Sequence, residues 1–344
     1  MKHKVAIIGF GGVGQGFLQI IGNKNEALQA QHGQPIDIVS IADLSKGALH
    51  NDNGLDLAKI DASLEKDGTL HHYEDEPGLE TGWDVHTTIT KSNADVVVEL
   101  TYTDVETGQP ALDHCKAALS VGKHVVTTNK GPIVNAYKEL QQLAANNGVS
   151  FLFEGTVMSG TPALRMPAQT LMGNDIRHIR GILNGTTNSM LTEMASGMSY
   201  EDALVSAQAK GYAEADPTND VEGYDVQGKV VILANVLLEA NLTRNDVPCQ
   251  GISHLTTTDI ADADAEGKVW KLLGVIEKDG QQTRGYVRPE KLDKTDTLAQ
   301  ISGPTNAVAY ECDLSGEITL TGAGAGITET GYAVLIDILT LGRD

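Results

Sequence analysis

Residues 211–229 read G-Y-A-E-A-D-P-T-N-D-V-E-G-Y-D-V-Q-G-K. Four carboxylates, Glu214, Asp216, Asp220 and Asp225, lead to one lysine, Lys229. Pro217 and Gly223 act as breakers, and the apolar run from Val226 to Leu238 reads as a helix. Asp225 and Lys229 are four residues apart, so a helix begun by Asp225 puts both on one face, with the acid N-terminal to the base. A lysine ammonium can stabilise a developing alkoxide and give it a proton. A free lysine, with a pKa of about 10.4, is charged at neutral pH and ready to act as an acid. The same residues also make an ordinary solvated helix entry, with acids where the helix dipole favours them.

A second constellation opens the chain. The apolar strand Val5 to Ile8 meets G-F-G-G-V-G, which sets Gly9, Gly11 and Gly14 in G-x-G-x-x-G spacing, with Gly12 and Val13 leading into a helix that runs to about Ile21. The first glycine permits a tight turn, the second lets backbone approach a pyrophosphate, and the third allows close helix–strand packing. The helix then points its first N–H groups at the phosphates. Placement directly between a strand and a helix is what makes the motif specific. Residues 22–35 read as a polar loop, and residues 36–42 as a second strand with Asp43 at its tip. A carboxylate there bonds the adenosine ribose hydroxyls and repels a 2′-phosphate, which leans toward NAD. Lys46 leaves NADP open, and Asp43 is also an ordinary turn residue.

Further strands and helices alternate. A helix is expected around residues 56–66, a loop over 67–80, and a buried strand at Val96–Val98, with Thr101 just past its end on the ligand-binding edge of an open α/β sheet. A helix over about 107–120 and the strand-then-loop H-V-V-T-T-N-K-G-P follow; Lys130 lies in that loop, either on the ligand edge or as an exposed lysine. Pro132 suits the first turn of a helix to Asn146. The alternation means a Rossmann-type, doubly wound parallel sheet. Residues 154–164, E-G-T-V-M-S-G-T-P-A-L, read as an irregular turn whose carbonyls are not committed to a ladder and, with one carboxylate, can coordinate a hard cation. Residues 176–183 read as a strand, 184–188 (N-G-T-T-N) as a turn, and 199–210 as a helix. Residues 283–289, 306–312 and 317–321 look like strands of a mixed sheet, followed by Gly322, Gly324 and Gly326 and a final helix over 328–341.

Composition narrows the classes. The 344 residues suffice for two domains, and 41% apolar content supports ordinary cores. A net charge of −21 argues against nucleic acid, since nothing offsets phosphate repulsion. No run of about 18 apolar residues suggests a membrane span. The N-terminus reads as a strand, not a signal peptide, so a cytoplasmic protein is expected. Cys115, Cys249 and Cys312 show no metal-like spacing.

The stretch 211–229 resembles the homoserine dehydrogenase family pattern G-Y-x-E-x-D-P…D…G-x-D-x-x-x-K, matched by Gly211, Tyr212, Glu214, Asp216, Pro217, Asp220, Gly223, Asp225 and Lys229. The resemblance covers almost the whole chain. It implies reversible NAD(P)H-dependent reduction of L-aspartate 4-semialdehyde to L-homoserine, in threonine, methionine and isoleucine biosynthesis. It also implies Lys229 as first choice for the proton donor and Lys130, in its T-x-N-K turn, as second. Glu214 and Asp225 would bind the substrate's ammonium or hydroxyl, Asp220 would orient Lys229 or the substrate amine, and Thr186, in the N-G-T-x-N segment, would lie near substrate. Gly9, Gly11, Gly12, Val13, Gly14, Asp43, Thr101, Lys130, Gly211 and Gly326 would line the cofactor. A monovalent cation, Na+ or K+, would be held by Glu154 and the backbone of Val157, Ser159 and Thr161. The expected organisation is a nucleotide-binding domain over 1–153, a substrate-binding and dimerisation domain over 154–321, and a helix over 322–344 returning to the first. The likeness further implies a homodimer or homotetramer, and a short form lacking the C-terminal regulatory ACT domain. Two rival readings are an aldehyde-oxidising enzyme with a cysteine nucleophile and a non-catalytic NAD(H)-sensing protein.

Overall fold

The computed structural model describes residues 3–33 and 35–341. The chain divides into two compact units: one runs to Thr156 and resumes at Gly326, and the other is Val157–Ala325. The first unit begins with β1 (His3–Ile8), α1 (Gly12–His32), β2 (Ile36–Asp43), β3 (Gly47–His50), α2 (Leu57–Asp67), β4 (Glu80–Thr81) and α3 (Val85–Lys91). It continues with β5 (Val96–Glu99), α4 (Ala111–Ser120), β6 (His124–Thr127), α5 (Lys130–Asn146) and β7 (Phe151–Leu152). Its sheet has the order β4-β3-β2-β1-β5-β6-β7. The five strands from β2 to β7 are parallel, while β3 and β4 add an antiparallel edge. Val5, Ile7, Val96, Val98 and Val126 are fully buried beside Phe17 and Ile21 of α1, which is why these short strands read as continuous apolar runs.

Two local expectations change. Residues 22–32 are not a loop: α1 continues to His32 and ends at Gly33, whose left-handed backbone (φ 63°) lets its N–H donate to the Gln29 carbonyl. Lys24, Glu26, Ala27 and Gln29 are good helix formers, but beyond Ile21 only Leu28 is buried, so no apolar stripe marks the extension. Lys130 is not in a loop either. It is the first residue of α5, after the N-cap Asn129, whose side chain accepts from the Gly131 N–H.

The second unit contains α6 (Arg165–Thr170), β8 (Ile176–Ile182), α7 (Gly185–Ala195), α8 (Tyr200–Ala209), α9 (Thr218–Val221), α10 (Tyr224–Leu237) and α11 (Thr257–Ala265). The strands β9 (Lys268–Asp279), β10 (Gln282–Asp293), β11 (Thr305–Cys312) and β12 (Gly316–Ala323) complete it. The sheet order is β10-β9-β8-β11-β12, and every pairing is antiparallel, where a mixed sheet was expected. β9, the strand the sequence pattern does not flag, is its second member. Its residues from Lys271 to Ile276 are buried without alternation, so the two-residue period of a half-exposed strand is missing. α10 packs on this sheet where Gly274 and Gly285 leave room. A Cβ on either would come within 2.7 and 2.8 Å of Val230.

The last helix, α12 (Ile327–Thr340), belongs to the first unit and packs along α1. The crossing is glycine on glycine: a Cβ on Gly16 would sit 2.6 Å from Ile327, and one on Gly331 2.8 Å from the Phe17 backbone nitrogen. Gly331→Ala should therefore force the helices apart and cost about 1–3 kcal/mol, the usual penalty for overpacking. Thermal unfolding of the variant checks this, with a fall of several degrees expected.

Candidate active site

The second unit gathers its polar chemistry at the junction of β8 and α7. Asn184 is the N-cap of α7, with extended backbone (φ −136°, ψ 118°). Its Oδ1 accepts from the Thr187 backbone N–H at 2.9 Å and the Thr187 hydroxyl at 3.0 Å. Residues 184–188, expected as a turn, are thus a cap and the first turn of a helix. With its oxygen committed, the Asn184 amide nitrogen donates to Asp220 Oδ1 at 2.7 Å and to Asp225 Oδ2 at 3.1 Å. Thr186 donates its hydroxyl to the Tyr212 carbonyl at 2.6 Å and so ties down the segment that carries Glu214.

α10 starts from Gly223, which takes the left-handed conformation (φ 82°). Asp225 falls in the first turn and Lys229 one turn later. Lys229 Nζ donates to Asp225 Oδ2 at 2.8 Å and to the Leu183 carbonyl at 2.5 Å. The two side chains are only 8% and 11% exposed, far from the solvated helix face that the same spacing also allows. An ammonium has three donors, so one N–H of Lys229 is uncommitted among the described residues. Burial raises the pKa of Asp220, and repulsion from Asp225 adds to it, against the Asn184 bond, the Lys229 charge and Thr186. Lysine, two carboxylates and an amide thus converge with room for one more acceptor, which suits a substrate hydroxyl or carbonyl oxygen.

Other members of the 211–229 stretch stand apart from this cluster. Glu214 is exposed, and its carbonyl accepts from Gln208. Asp216 is exposed and caps the Thr218 N–H at 3.1 Å. Gly211 (φ 73°) ends α8 in a left-handed turn. Asn184 is the one central residue that spacing did not single out. An asparagine just before a helical run is an N-cap signal, and that signal was available.

In the first unit the glycine turn has the geometry that a dinucleotide needs. Gly9 has φ +84°, and a Cβ on it would lie 2.7 Å from the backbone of Leu100 and Thr101. Gly14 packs within 3.1 Å of the Gly9 carbonyl by the same measure. Gly11, the N-cap of α1, has no side-chain cap, and nothing lies within 4 Å of where its Cβ would be. The N-terminus of α1 therefore keeps open space and uncapped N–H groups, which fits a pyrophosphate. Gly12 opens the helix, and Val13 is half-buried against the core.

At the tip of β2, Asp43 holds the turn together. Oδ2 accepts from the Phe10 N–H at 2.7 Å, and Oδ1 accepts from Ser45 N–H, Ser45 Oγ and Lys46 N–H at 2.8–2.9 Å. Burial opposes ionisation, but these bonds outweigh it and hold the carboxyl below its usual range. Lys46 sends its ammonium to the Gly68 carbonyl at 3.0 Å. Thr101 donates to Glu99, a fully buried carboxylate at the end of β5 that also accepts from Thr127 at 3.3 Å. Glu99 carries no mark in the sequence, since a lone acid after Val98 looks like a strand end. Lys130 is half-buried at the start of α5, and Gly326 (φ 144°) opens α12. A cavity of about 590 Å³ lined by Asn25, Asp37 and Asn51 lies toward the other end of β2 from Asp43, away from this chemistry.

Burial disfavours the thiolate at all three cysteines, Cys312 included. Burial raises the Cys115 thiol far above its usual range and the Cys249 thiol to about 11, so neither supplies thiolate at neutral pH. No group of three or more His, Cys, Asp or Glu among the described residues could hold a metal ion. No described helix is long and apolar enough to cross a membrane.

A glycine turn feeding an uncapped helix in a parallel sheet, together with a buried lysine–carboxylate cluster, fits the class of nicotinamide-dependent oxidoreductases. Residues 9–154 match the model of the homoserine dehydrogenase NAD binding domain, and residues 162–339 that of homoserine dehydrogenase itself. The chain is 44% identical to the NAD(+)-dependent homoserine dehydrogenase of Pseudomonas canavaninivorans, over 98% of this chain and 96% of that one. It is 40% identical to the homoserine dehydrogenase of Methanocaldococcus jannaschii, over 97% of each. Among solved structures, a putative homoserine dehydrogenase of Archaeoglobus fulgidus superposes with a TM-score of 0.88 at 31% identity, covering 98% of this chain and 99% of that one. A hyperthermophilic archaeal homoserine dehydrogenase mutant in complex with NADPH gives 0.85 at 29% identity, covering 99% and 97%. The chain belongs to the homoserine dehydrogenase family, and it is an NAD(P)-dependent enzyme acting on a small molecule.

The raised pKa of Asp220 has a consequence for stability. A carboxyl whose folded pKa lies above its unfolded value costs stability while it is ionised, and that cost is relieved as pH falls through the folded value. Asp220→Asn should therefore raise the melting temperature at neutral pH. The gain should shrink as pH is lowered into the ordinary carboxylate range, where wild-type Asp220 is itself protonated. Melting curves of both proteins across that window measure it.

Proposed function

We propose that Lys229 gives and takes the proton in the interconversion of L-homoserine and L-aspartate 4-semialdehyde. The observation that carries this reading is the buried cluster of Lys229, Asp225, Asn184 and Asp220, with one lysine N–H uncommitted. When bound, the nicotinamide supplies the hydride or accepts it. In the reducing direction the Lys229 ammonium stabilises the developing alkoxide and donates the proton. In the oxidising direction the neutral amine takes the hydroxyl proton, and Asp225 pairs the ammonium that results. That direction should improve at alkaline pH. Asp225 and Glu214 bind the substrate's ammonium or hydroxyl, Asp220 orients the lysine or the substrate amine, and Thr186 fixes the adjoining segment. Lys130 is the second candidate for the proton.

The cofactor reading is NAD ahead of NADP. The ionised Asp43 keeps acceptor capacity on Oδ2 for a ribose hydroxyl and repels a 2′-phosphate, while Lys46 is already bonded to Gly68. Gly9, Gly11, Gly12, Val13 and Gly14 would receive the pyrophosphate, with Thr101, Lys130, Gly211 and Gly326 on the remaining contacts. A monovalent cation, Na+ or K+, is proposed on Glu154 and the carbonyls of Val157, Ser159 and Thr161. The support is the backbone nearby: Met158 and Ser159 are both left-handed, at φ 59° and 54°, which non-glycine residues adopt only under constraint. The reading is of a cytoplasmic homodimer or homotetramer assembled through the second unit.

Homoserine oxidation at alkaline pH, followed at the nicotinamide absorbance with NAD and NADP side by side, tests the reaction and the preference together. A kcat/KM in favour of NADP would overturn the Asp43 argument. Lys229→Met should lower kcat by roughly 10²–10⁴-fold, the usual range for a lost general acid, with NAD affinity retained. Wild-type kcat in that variant would pass the role to Lys130. Replacing Na+ or K+ with a bulky organic cation should slow turnover, and no change would remove the cation.

A further inference from the structure

We propose that Lys271 is a positioning residue for substrate binding, fixing the first turn of α7 and with it the Asn184 amide that holds Asp220 and Asp225. The proposal rests on the reading of that cluster as the substrate site.

Lys271 lies in β9 and is 2% exposed, yet no carboxylate comes within ion-pair distance among the described residues. Its ammonium donates instead to Asn188 Oδ1 at 3.0 Å and to the Ile301 carbonyl. Asn188 is in the first turn of α7, one turn beyond Asn184. Its oxygen is taken by the lysine, so its amide nitrogen must point the other way. There it donates to the carbonyls of Gly303 at 2.8 Å and Thr305 at 3.2 Å. Thr192, one turn further, accepts the Gly303 N–H at 3.0 Å. The segment 301–305 is thereby drawn against α7, so close that a Cβ on Gly185 would lie 2.7 Å from the Pro304 carbonyl. Gly185 directly follows Asn184.

The arrangement is a poor way to gain stability. Burial alone pushes the lysine's pKa down to about 8, with no charge partner to offset it. A cation beside the first turn of a helix is also at the wrong end of the helix dipole. An apolar side chain of similar length would fill the site without the desolvation cost of a buried charge. What the charge adds is a strong, directional bond that sets the rotamer of Asn188. Residues 183–188 supply the Leu183 carbonyl to Lys229, the Asn184 amide to two carboxylates and the Thr186 hydroxyl to Tyr212. Fixing this one turn fixes all three.

The test is steady-state homoserine oxidation with NAD by Lys271→Met. The KM for homoserine should rise roughly tenfold, with kcat and the KM for NAD within about twofold of wild type. Lys271→Gln, which keeps one donor toward Asn188, should recover part of the loss. A folded Lys271→Met enzyme with wild-type KM for homoserine overturns the inference, as does an equal rise in both KM values, which would mean general loosening. Where Lys271→Met does not fold, Asn188→Ala is expected to show the same homoserine-selective rise, and its absence there counts against the inference equally. Asp225→Asn run in parallel separates the two readings. If it raises the KM for homoserine and the lysine variants do not, only the positioning role fails. If neither changes it, the substrate cluster itself is misassigned.

Discussion

Two carboxylates share one amide in the second unit, and much of that unit exists to keep them there. Asp220 and Asp225 repel each other, and burial strengthens the repulsion because little water screens it. The Asn184 nitrogen gives each carboxylate a hydrogen, and Lys229 adds its charge on the Asp225 side. Asn184 can do this only if its own oxygen is occupied elsewhere, which the N-cap geometry of α7 ensures through Thr187. The left-handed Gly223 lets α10 start just before Asp225, and the four-residue spacing then puts Asp225 and Lys229 on the same face. A cap, a glycine and an i,i+4 pair thus form one device, and removing the cap or either member of the pair takes a partner from a buried charge.

The first unit solves a different problem with different means. It leaves backbone N–H groups uncapped at the start of α1, and it does so by removing side chains. Gly9 lets the turn touch the end of β5, and Gly11 leaves space above α1. Asp43 replaces the rigidity that glycine gives up, joining the turn at Phe10 to the end of β2. Gly16 and Gly331 continue the same economy away from the ligand edge, letting α12 lie directly on α1. The glycines at 322 and 324, by contrast, answer to neighbours within the second unit. Side chains there would strike Thr161 and Asn306, so their spacing reflects packing whatever else it serves.

These differences decide what was legible in the sequence. The glycine turn, the buried parallel strands and the Asp225–Lys229 spacing are local marks, and each could be read from a handful of residues. α1 beyond Ile21 left no mark because solvent covers almost all of it, and β9 left none because protein covers both its faces. Asn184 was visible as a residue but not as a hub, since its partners at 220 and 225 come from a distant segment. Glu99 and Lys271 are harder still. Each is a single charged residue in an apolar strand, and only the fold reveals that its bonds go to Thr101 and Thr127 or to Asn188 and Ile301.

The contrast between the units bears on how each tolerates change. Around Asp43 the side chains are partly exposed, and Leu44 next to it is fully exposed, so substitutions there disturb little packing. The tip of β2 is accordingly a few replaceable groups on a backbone that can stay the same. Around Asn184 the cap, the two carboxylates and the lysine are bonded to one another in a buried cluster, so replacing Asn184 or Lys229 leaves a buried carboxylate short of a partner in low dielectric. The cluster around Asn184 is therefore the less replaceable part of this fold. The physical reason is that its geometry is held by interdependent buried bonds, while the glycine turn of the first unit offers main chain and open space.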